Sequence, residues 1–335
     1  MTKTTDSIAE NTDIDSLSSI IDDTLRSLHI SGSLLLRESY ASPWAISIPD
    51  ASSLGELLKV SGDSRVVAFH LVEFGHCTIT AEHSDNIHIK AGEMVICFGG
   101  GSHQLIQGTP GEVQPVEKLL AGGTNIQRPN ADASSEGAAL LCGVFILQHT
   151  MLNPLYEGLP SLMHTRLSRS GELHNLSGVA RLMTEEMDRE SIVRSYIVER
   201  LLEVLCAEAI RAHIENVPRD KTNWLRGIKD PVIGRAIAAI HSQPGEDWTV
   251  QRMAEYVAMS PSRFAARFAA SVGDSPMAYT TKWRMSLACR ALIESKANIE
   301  QIASSIGYES SAAFSRTFKK HLGISPALWR AQQQI

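Results

Sequence analysis

Between Ser31 and Leu147 short apolar runs alternate with glycine and polar residues: SGSLLL, WAISI, VVAFHLVEF, HCTIT, NIHI, EMVICF, HQLIQ and ALLCGVFIL. Runs of this length, bounded by turn residues, predict strands of an all-β sandwich or barrel. Gln114 to Gly137 breaks the series with a polar, Gly- and Ser-containing stretch that reads as an exposed, mobile loop. After Glu172 the period changes. Leu176, Val179, Ala180, Leu182, Met183 and Met187 recur at helical spacing. Tyr196, Ile197, Leu201, Leu205 and Ala209 form a second stripe, so an αα hairpin is expected to about Asn216. NVPRDKTNW reads as a linker, and the segments beyond it as helices.

That last region repeats itself. FAARFAASVGDSPMAY from Phe264 returns as FSRTFKKHLGISPALW from Phe314, a shift of 50 residues. Phe264, Phe268, Gly273, Ser275 and Pro276 recur as Phe314, Phe318, Gly323, Ser325 and Pro326. Phenylalanines at i and i+4 put two rings on one helical face, which must pack on the preceding helix. Glycine ends the helix in a left-handed residue, and Ser-Pro opens the next with a cap and a preset φ. Upstream of each copy lies a short helix with its turn. TVQRMAEYVAM, capped by Thr249, leads to Ser260-Pro261, and IEQIASSIGYE turns at Gly307 before Ser310. Two helix-turn-helix units follow, joined by a helix around Lys282 to Glu294.

Charge sharpens the picture. The chain of 335 residues carries a net −6. From Lys221 onward there are 15 Lys and Arg against 8 Asp and Glu, leaving 16 against 29 upstream. A basic block of this size suits a polyanion, because neutralising phosphates releases condensed counterions. The length favours two domains. No apolar run is long enough to span a membrane, and the polar, acidic start MTKTTDSIAENTDIDS lacks the features of a secretory signal. Cys77, Cys97, Cys142, Cys206 and Cys289 follow no CxxC spacing and read as reduced thiols of a cytoplasmic protein.

The stretch IASSIGYESSAAFSRTFKKHLGISPALWR closely resembles the second helix-turn-helix of the AraC family of bacterial regulators. The match runs through Ile302, Ala303, Gly307, Tyr308, Phe314, Phe318, Lys319, Gly323, Pro326 and Arg330. Upstream, FHLVEFGHCTI, AGEMVICFGGGSHQL, LLCGVFIL and NPLYEGLPSLMH resemble the cupin-type sensor of one AraC subgroup, so the likeness covers nearly the whole chain. It implies an α+β multidomain protein: an N-terminal cupin-like β-barrel with a helical hairpin, then an all-α DNA-binding domain of two helix-turn-helix units. The expected divisions are a sensor over 16–170, a dimerisation element and linker over 171–220, and a DNA-binding domain over 221–335. Promoter DNA, a second copy of the chain and RNA polymerase are the implied partners, with no membrane. No cofactor is assigned, and the small-molecule effector stays unidentified. The alternative is a cupin enzyme with an appended DNA-binding domain, but no nucleophile triad, P-loop or paired carboxylate signature is present, so no catalytic residue is assigned.

With Phe314 and Phe318 inward, Ser311, Ala312, Ser315 and Arg316 face outward near the start of the second recognition helix, where base edges are read. Arg316 can take a guanine edge bidentately, while Lys319 and Lys320 suit phosphates. In the first recognition helix Pro261, Ser262, Ala265 and Ala266 hold the matching face, with Arg263 and Arg267 beside them as phosphate contacts or solvated charges. Many family members carry a long polar residue where Ala266 stands, which points to a positioning role for this helix. The fragment from about Lys221 is expected to bind DNA alone, and the helices between Leu173 and His213, through Leu201 and Leu205, to pair two chains.

Gly92 to His103 follows the second cupin motif, with Gly92, Gly100 and His103 in register and Phe98 in place of proline. The first motif is poorly kept: His70 and His76 lack HxH spacing. His70, His76 and His103 are candidate effector contacts lining the barrel, and no metal is assigned to them. Cys77, Cys97 and Cys142 lie on predicted strands. They are small hydrophobes or, as relatives responsive to oxidants suggest, a redox switch, which requires an accessible thiolate.

Overall fold

The computed structural model describes residues 18–60, 64–82, 85–123, 125–126, 137–148, 152–167, 174–189, 194–216 and 224–333. The polar N-terminal stretch, residues 127–136 of the expected loop and 217–223 of the expected linker lie outside them.

Each of the eight apolar runs forms a strand. β1 (Ile30–Tyr40), β3 (Ser64–Phe74), β6 (Glu93–Cys97), β9 (Asn125–Ile126), β10 (Ala138–Gln148) and β11 (Met163–Arg166) make one sheet in the order β11-β6-β3-β10-β1-β9. β2 (Trp44–Ile48), β4 (His76–Ala81), β5 (Ile87–Lys90), β7 (His103–Gln107) and β8 (Gln114–Pro115) make the other, in the order β5-β4-β7-β2-β8. A short helix, α2 (Ala51–Leu57), follows β2, and the segment from Gln114 contributes β8, the helical turn α3 (Val116–Leu119) and β9. The described part of the expected loop is therefore largely ordered on the sheet edges.

Side chains alternate across a strand, so each sheet turns one set of residues inward. Val66, Ala68, Val72, Val95, Cys97, Leu140, Cys142 and Val144 of the larger sheet meet Trp44, Ile46, Ile48, Cys77, Ile79, Ile89 and Leu105 of the smaller. β3 is buried on both faces through its middle, as an unbroken apolar run requires. Its outer residue Phe69 stacks on Phe145 of β10 with ring centroids 4.6 Å apart.

α5 (His174–Met187) and α6 (Arg194–Asn216) form the expected hairpin and cover that outer face. The approach is close: a Cβ on Gly32 of β1 would lie 2.7 Å from Cβ of Leu202. Arg37 of β1, almost wholly buried, bonds both Glu73 of β3 at 2.9 Å and Asp188 beyond α5 at 2.7 Å. One cation thereby ties sheet to hairpin, and removing it would strand two partly buried carboxylates. Leu205 is fully buried inside this fold, which corrects its expected place on a pairing surface. Among the described residues, the large apolar side chains that the hairpin leaves exposed are Leu182, Tyr196 and Val204.

Among the described residues, 30–148 and 159–216 form one compact unit, and 18–29, 152–158 and 224–333 the other. The units thus interleave along the chain, whereas the divisions at 170 and 220 assumed a linear order. The physical reason is a nonlocal core. The helix over 18–27, α1, turns Ile20, Thr24, Ser27 and Leu28 inward at helical spacing. Buried Asn153 donates to the Thr24 carbonyl and to Ser27 Oγ, and its own carbonyl oxygen accepts from the Leu155 N–H opening α4 (Pro154–Gly158). Leu152 joins the apolar cluster of Met285, Leu292, Phe314, Phe318 and Trp329.

The remaining helices of this unit are α7 (Trp224–Lys229), α8 (Pro231–Ser242), α9 (Val250–Tyr256), α10 (Pro261–Val272), α11 (Pro276–Glu294), α12 (Ile299–Ser305), α13 (Ser311–Leu322) and α14 (Pro326–Gln333).

Candidate nucleic-acid interface and barrel site

The two recognition helices are built by local chemistry. Thr249 caps α9 by accepting from the Arg252 N–H, and Asn298 with Gln301 closes a capping box on α12. Ser260-Pro261 opens α10, while Ser310 caps α13 by accepting from the Ala313 N–H. Gly273 and Gly323 end the two helices at φ +95° and +78°, where a side chain would be strained. Phe264 and Phe268 meet edge to face at 5.7 Å, and Phe314 and Phe318 at 5.5 Å, all four without exposure. With those rings inward, the opposite faces must lie in solvent.

Ser262, Arg263 and Ala266 of α10 are exposed, as are Ala312, Arg316, Lys319 and Lys320 of α13; Ser311 and Ser315 are half-exposed. Among the described residues Arg263 and Arg316 have no carboxylate partner, so their donors face solvent. Arg267 differs. Its guanidinium makes a bidentate pair with Asp230 at 2.8 and 3.1 Å, and Asp230 also caps α8 by accepting from the Val232 and Ile233 N–H groups. Burial would raise the Asp230 carboxyl, but the Ile233 N–H and Arg267 outweigh it and leave the group below the ordinary 3.8. Arg267 therefore braces α10 against α8. The Asp230-Pro231 dipeptide signals the cap in sequence, but nothing in sequence announces its partner 37 residues away. Arg330 is likewise structural: it donates to the carbonyls of Leu292 and Ala297 at and just beyond the end of α11.

In the other unit the expected histidine set is only partly assembled. His70 on β3 and His103 on β7 reach toward each other from opposite sheets, with their Nε2 atoms 2.8 Å apart. Both are buried. His76 is exposed at the start of β4, because the turn at Gly75 carries it out of the interior, and it does not belong to the set. Cysteines take its place. Cys97 Sγ lies 3.6 Å from His103 Nε2, and Cys142 Sγ 3.1 Å from His70 Nδ1. Strand register accounts for this: His70 pairs directly with Cys142 of β10 and with Val95 of β6, two residues before Cys97.

Burial lowers the His70 basicity well below the ordinary value, helped by neighbouring His103, and lowers His103 as well, so both imidazoles are neutral. Burial also pushes the Cys77 and Cys97 thiols up to about 12, and holds Cys142 well above its ordinary value. None is the accessible thiolate that a direct redox switch needs.

The inward faces of both sheets carry one apolar cluster. A cavity of about 710 Å³ lies on the outer side of the larger sheet, lined by Leu71, Glu73, Leu167, Ser177, Ala180 and Arg181 among others.

Paired helix-turn-helix units with solvent-facing cations, in a chain that also carries a double-sheet unit, define a DNA-binding regulator of modular build. Comparison with known proteins gives the family. A cupin family model matches residues 20–215, and a helix-turn-helix domain model residues 253–332. An AraC-like transcription regulator of Streptomyces lividans is 31% identical over 79% of this chain and 87% of its own length. The HTH-type transcriptional regulator AlkR of Acinetobacter baylyi is 29% identical over 95% of this chain and 100% of its own. A solved AraC-type regulator from Chromobacterium violaceum superposes over 31% of this chain and 94% of its own, at 27% identity and a TM-score of 0.30. The chain belongs to the AraC family of DNA-binding transcriptional regulators and carries an N-terminal cupin domain. Its relatives are named as regulators, not enzymes. No described helix is long and apolar enough to cross a membrane.

Proposed function

We propose that the chain acts in the cytoplasm as a homodimeric regulator that reads promoter DNA chiefly through α13 and receives a chemical signal through its cupin unit. The observation that carries the division of labour is the contrast between exposed, carboxylate-free Arg316 and its counterpart in the repeat, Ala266. An arginine near the start of a recognition helix can hold a guanine edge with two hydrogen bonds, which alanine cannot. Lys319 and Lys320 follow on the same helix and meet phosphates without regard to sequence. In α10, Ser262, Arg263 and Ala266 position the protein, and Arg267 acts through Asp230.

Leu182, Tyr196 and Val204 form the pairing face. Two copies related by a two-fold axis would bury them symmetrically. The cavity over β3 is of a size that takes a small organic effector, whose occupancy would alter DNA binding or contact with RNA polymerase. We read the cupin unit as regulatory, since the relatives that share it along with the helix-turn-helix unit are named as transcription regulators.

The test begins with the duplex the full chain selects from random-sequence DNA. Arg316→Ala should weaken that site by about 1–3 kcal/mol relative to scrambled DNA and relax preference at one or two base pairs. Lys320→Ala should weaken both duplexes alike and flatten the salt slope by about one unit. Equal loss on both duplexes for Arg316→Ala would overturn the assignment of α13 as the reading helix.

A further inference from the structure

The structure assigns His70, Cys97 and His103 as a metal site: a borderline-soft ion of tetrahedral preference, for which zinc is the probe, held by two imidazole Nε2 atoms and one thiolate Sγ inside the cupin unit. It rests on the proposed function only in lying within the unit read as the sensor.

Three features converge. The three donor atoms all lie within 4.8 Å of one another, and all three residues are buried. In a tetrahedral site, Zn–N bonds of about 2.05 Å and Zn–S bonds of about 2.3 Å place N and S about 3.6 Å apart. That is the distance found between His103 Nε2 and Cys97 Sγ, 3.6 Å. The two Nε2 atoms, 2.8 Å apart, would have to open to about 3.3 Å, a small rotation of either ring.

The second feature is the outward side of each ring. A ligating histidine donates its other N–H to a fixed acceptor, which sets the tautomer and aims the lone pair at the metal. His103 Nδ1 stands 3.2 Å from the Gly101 carbonyl, an acceptor only, so the proton sits on Nδ1 and the Nε2 lone pair points inward. His70 Nδ1 faces Cys142 Sγ. Without an ion, His70 Nε2–H donates to the His103 Nε2 lone pair across 2.8 Å; an ion between the two nitrogens replaces that bond, and the His70 proton moves to Nδ1, where Cys142 Sγ accepts it.

The third is the ligand chemistry. Two neutral nitrogens and one sulfur suit zinc and its soft neighbours and disfavour magnesium or calcium, which take oxygen. The set differs from the family motif, whose first half would bring two histidines and a glutamate; a cysteine from β6 supplies the third donor. Binding is balanced simply: the Cys97 S–H bond breaks, its proton passes to solvent, and the sulfur pair bonds the ion. A fourth tetrahedral position is left for water or an exogenous ligand.

The experiment uses the full chain, reduced, stripped with a chelator and desalted, then given zinc or cobalt(II) alone. We expect one ion retained per chain after desalting, and for cobalt a thiolate charge-transfer band with the strong visible absorption of four-coordination. Cys97→Ser and His103→Asn should lose that ion. Cys142→Ser, which alters only the partner of a ligand, should bind about 10–100-fold more weakly. Cys77→Ser should bind as the parent does. A parent chain that retains no ion, or Cys97→Ser that retains as much as the parent, overturns the site. Should the ligand variants fail to fold, the cobalt spectrum of the parent decides, and absence of the thiolate band overturns it equally. Loss of DNA binding would leave these readings unchanged, so the two proposals fail separately.

Discussion

Replacing Arg267 with alanine separates bracing from DNA contact. The side chain is 39% exposed and its Asp230 partner 18%, so solvent screens the pair despite its two short bonds. A pair of this exposure stabilises by roughly 0.5–1 kcal/mol. Asp230→Ala removes that and the α8 cap as well, which adds about 1 kcal/mol. The double variant should cost less than the sum of the singles, by the worth of the ion pair. In a unit of this size each kcal/mol lowers the melting midpoint by about 2–4 °C. We therefore expect Arg267→Ala to lower the midpoint by a few degrees, Asp230→Ala by more, and neither to change the salt slope of DNA binding. Because the folded Asp230 carboxyl lies below its ordinary value, the unfolded chain binds its proton first on acidification. The coupling is thus full above the ordinary carboxylate range and vanishes as pH falls through the depressed value. The assay pairs thermal unfolding with DNA titration at several salt concentrations. An unchanged midpoint together with a slope flattened by about one unit would refute the bracing role, and Arg267 would then leave Asp230 for a phosphate, as sequence alone led us to expect.

Other outcomes follow from the same geometry. Leu182→Glu and Val204→Glu should give folded monomers by light scattering, whereas Leu205→Glu should misfold, since Leu205 is in the chain's own core. Leu152→Ala should destabilise the helical unit by roughly 2–5 kcal/mol in thermal unfolding; the fragment from Lys221, lacking Leu152 and α1, should bind DNA but melt lower than the same unit in the full chain. Burial pushes His241 down to about 3, while it stacks on Trp283 and holds the Tyr279 hydroxyl. Its unfolded form protonates near 6.5, so this histidine's contribution is full above that value and declines by about 1.4 kcal/mol per pH unit below it. His241→Gln should flatten the fall in melting midpoint between neutral pH and the mid-acid range, and an unchanged profile would count against it.

What was legible in the sequence was what adjacent residues decide. Phenylalanines four apart, Ser-Pro openings and glycine stops carry their geometry within one or two turns, so both helix-turn-helix units were found, with the caps Thr249, Ser275 and Ser310 but not the box at Asn298. Strand runs were legible for the same reason. Their register was not: placing Cys97 rather than His76 beside His70 depends on which residues of β3, β6 and β10 stand opposite one another. The Arg267–Asp230 brace and the docking of α1 lie further out of reach, because they join residues far apart in sequence and exist only once the core has formed. Leu182, read as part of the same helical stripe, lies outside it: one residue before buried Met183, it points about 100° away from the face of Leu176, Ala180, Met183 and Met187.

The interleaving of the two units sets an order of assembly. α1 finds Asn153 only after more than a hundred intervening residues have been made, 129 from Thr24, and at about 5–20 residues per second that is roughly 6–25 s of synthesis. Alone, a helix this short is marginal in water. The cupin unit is complete by residue 216, while the helical unit must wait for α14, whose Trp329 shares a core with Leu152. A ribosome that stops early therefore releases a finished receiver with no reader attached.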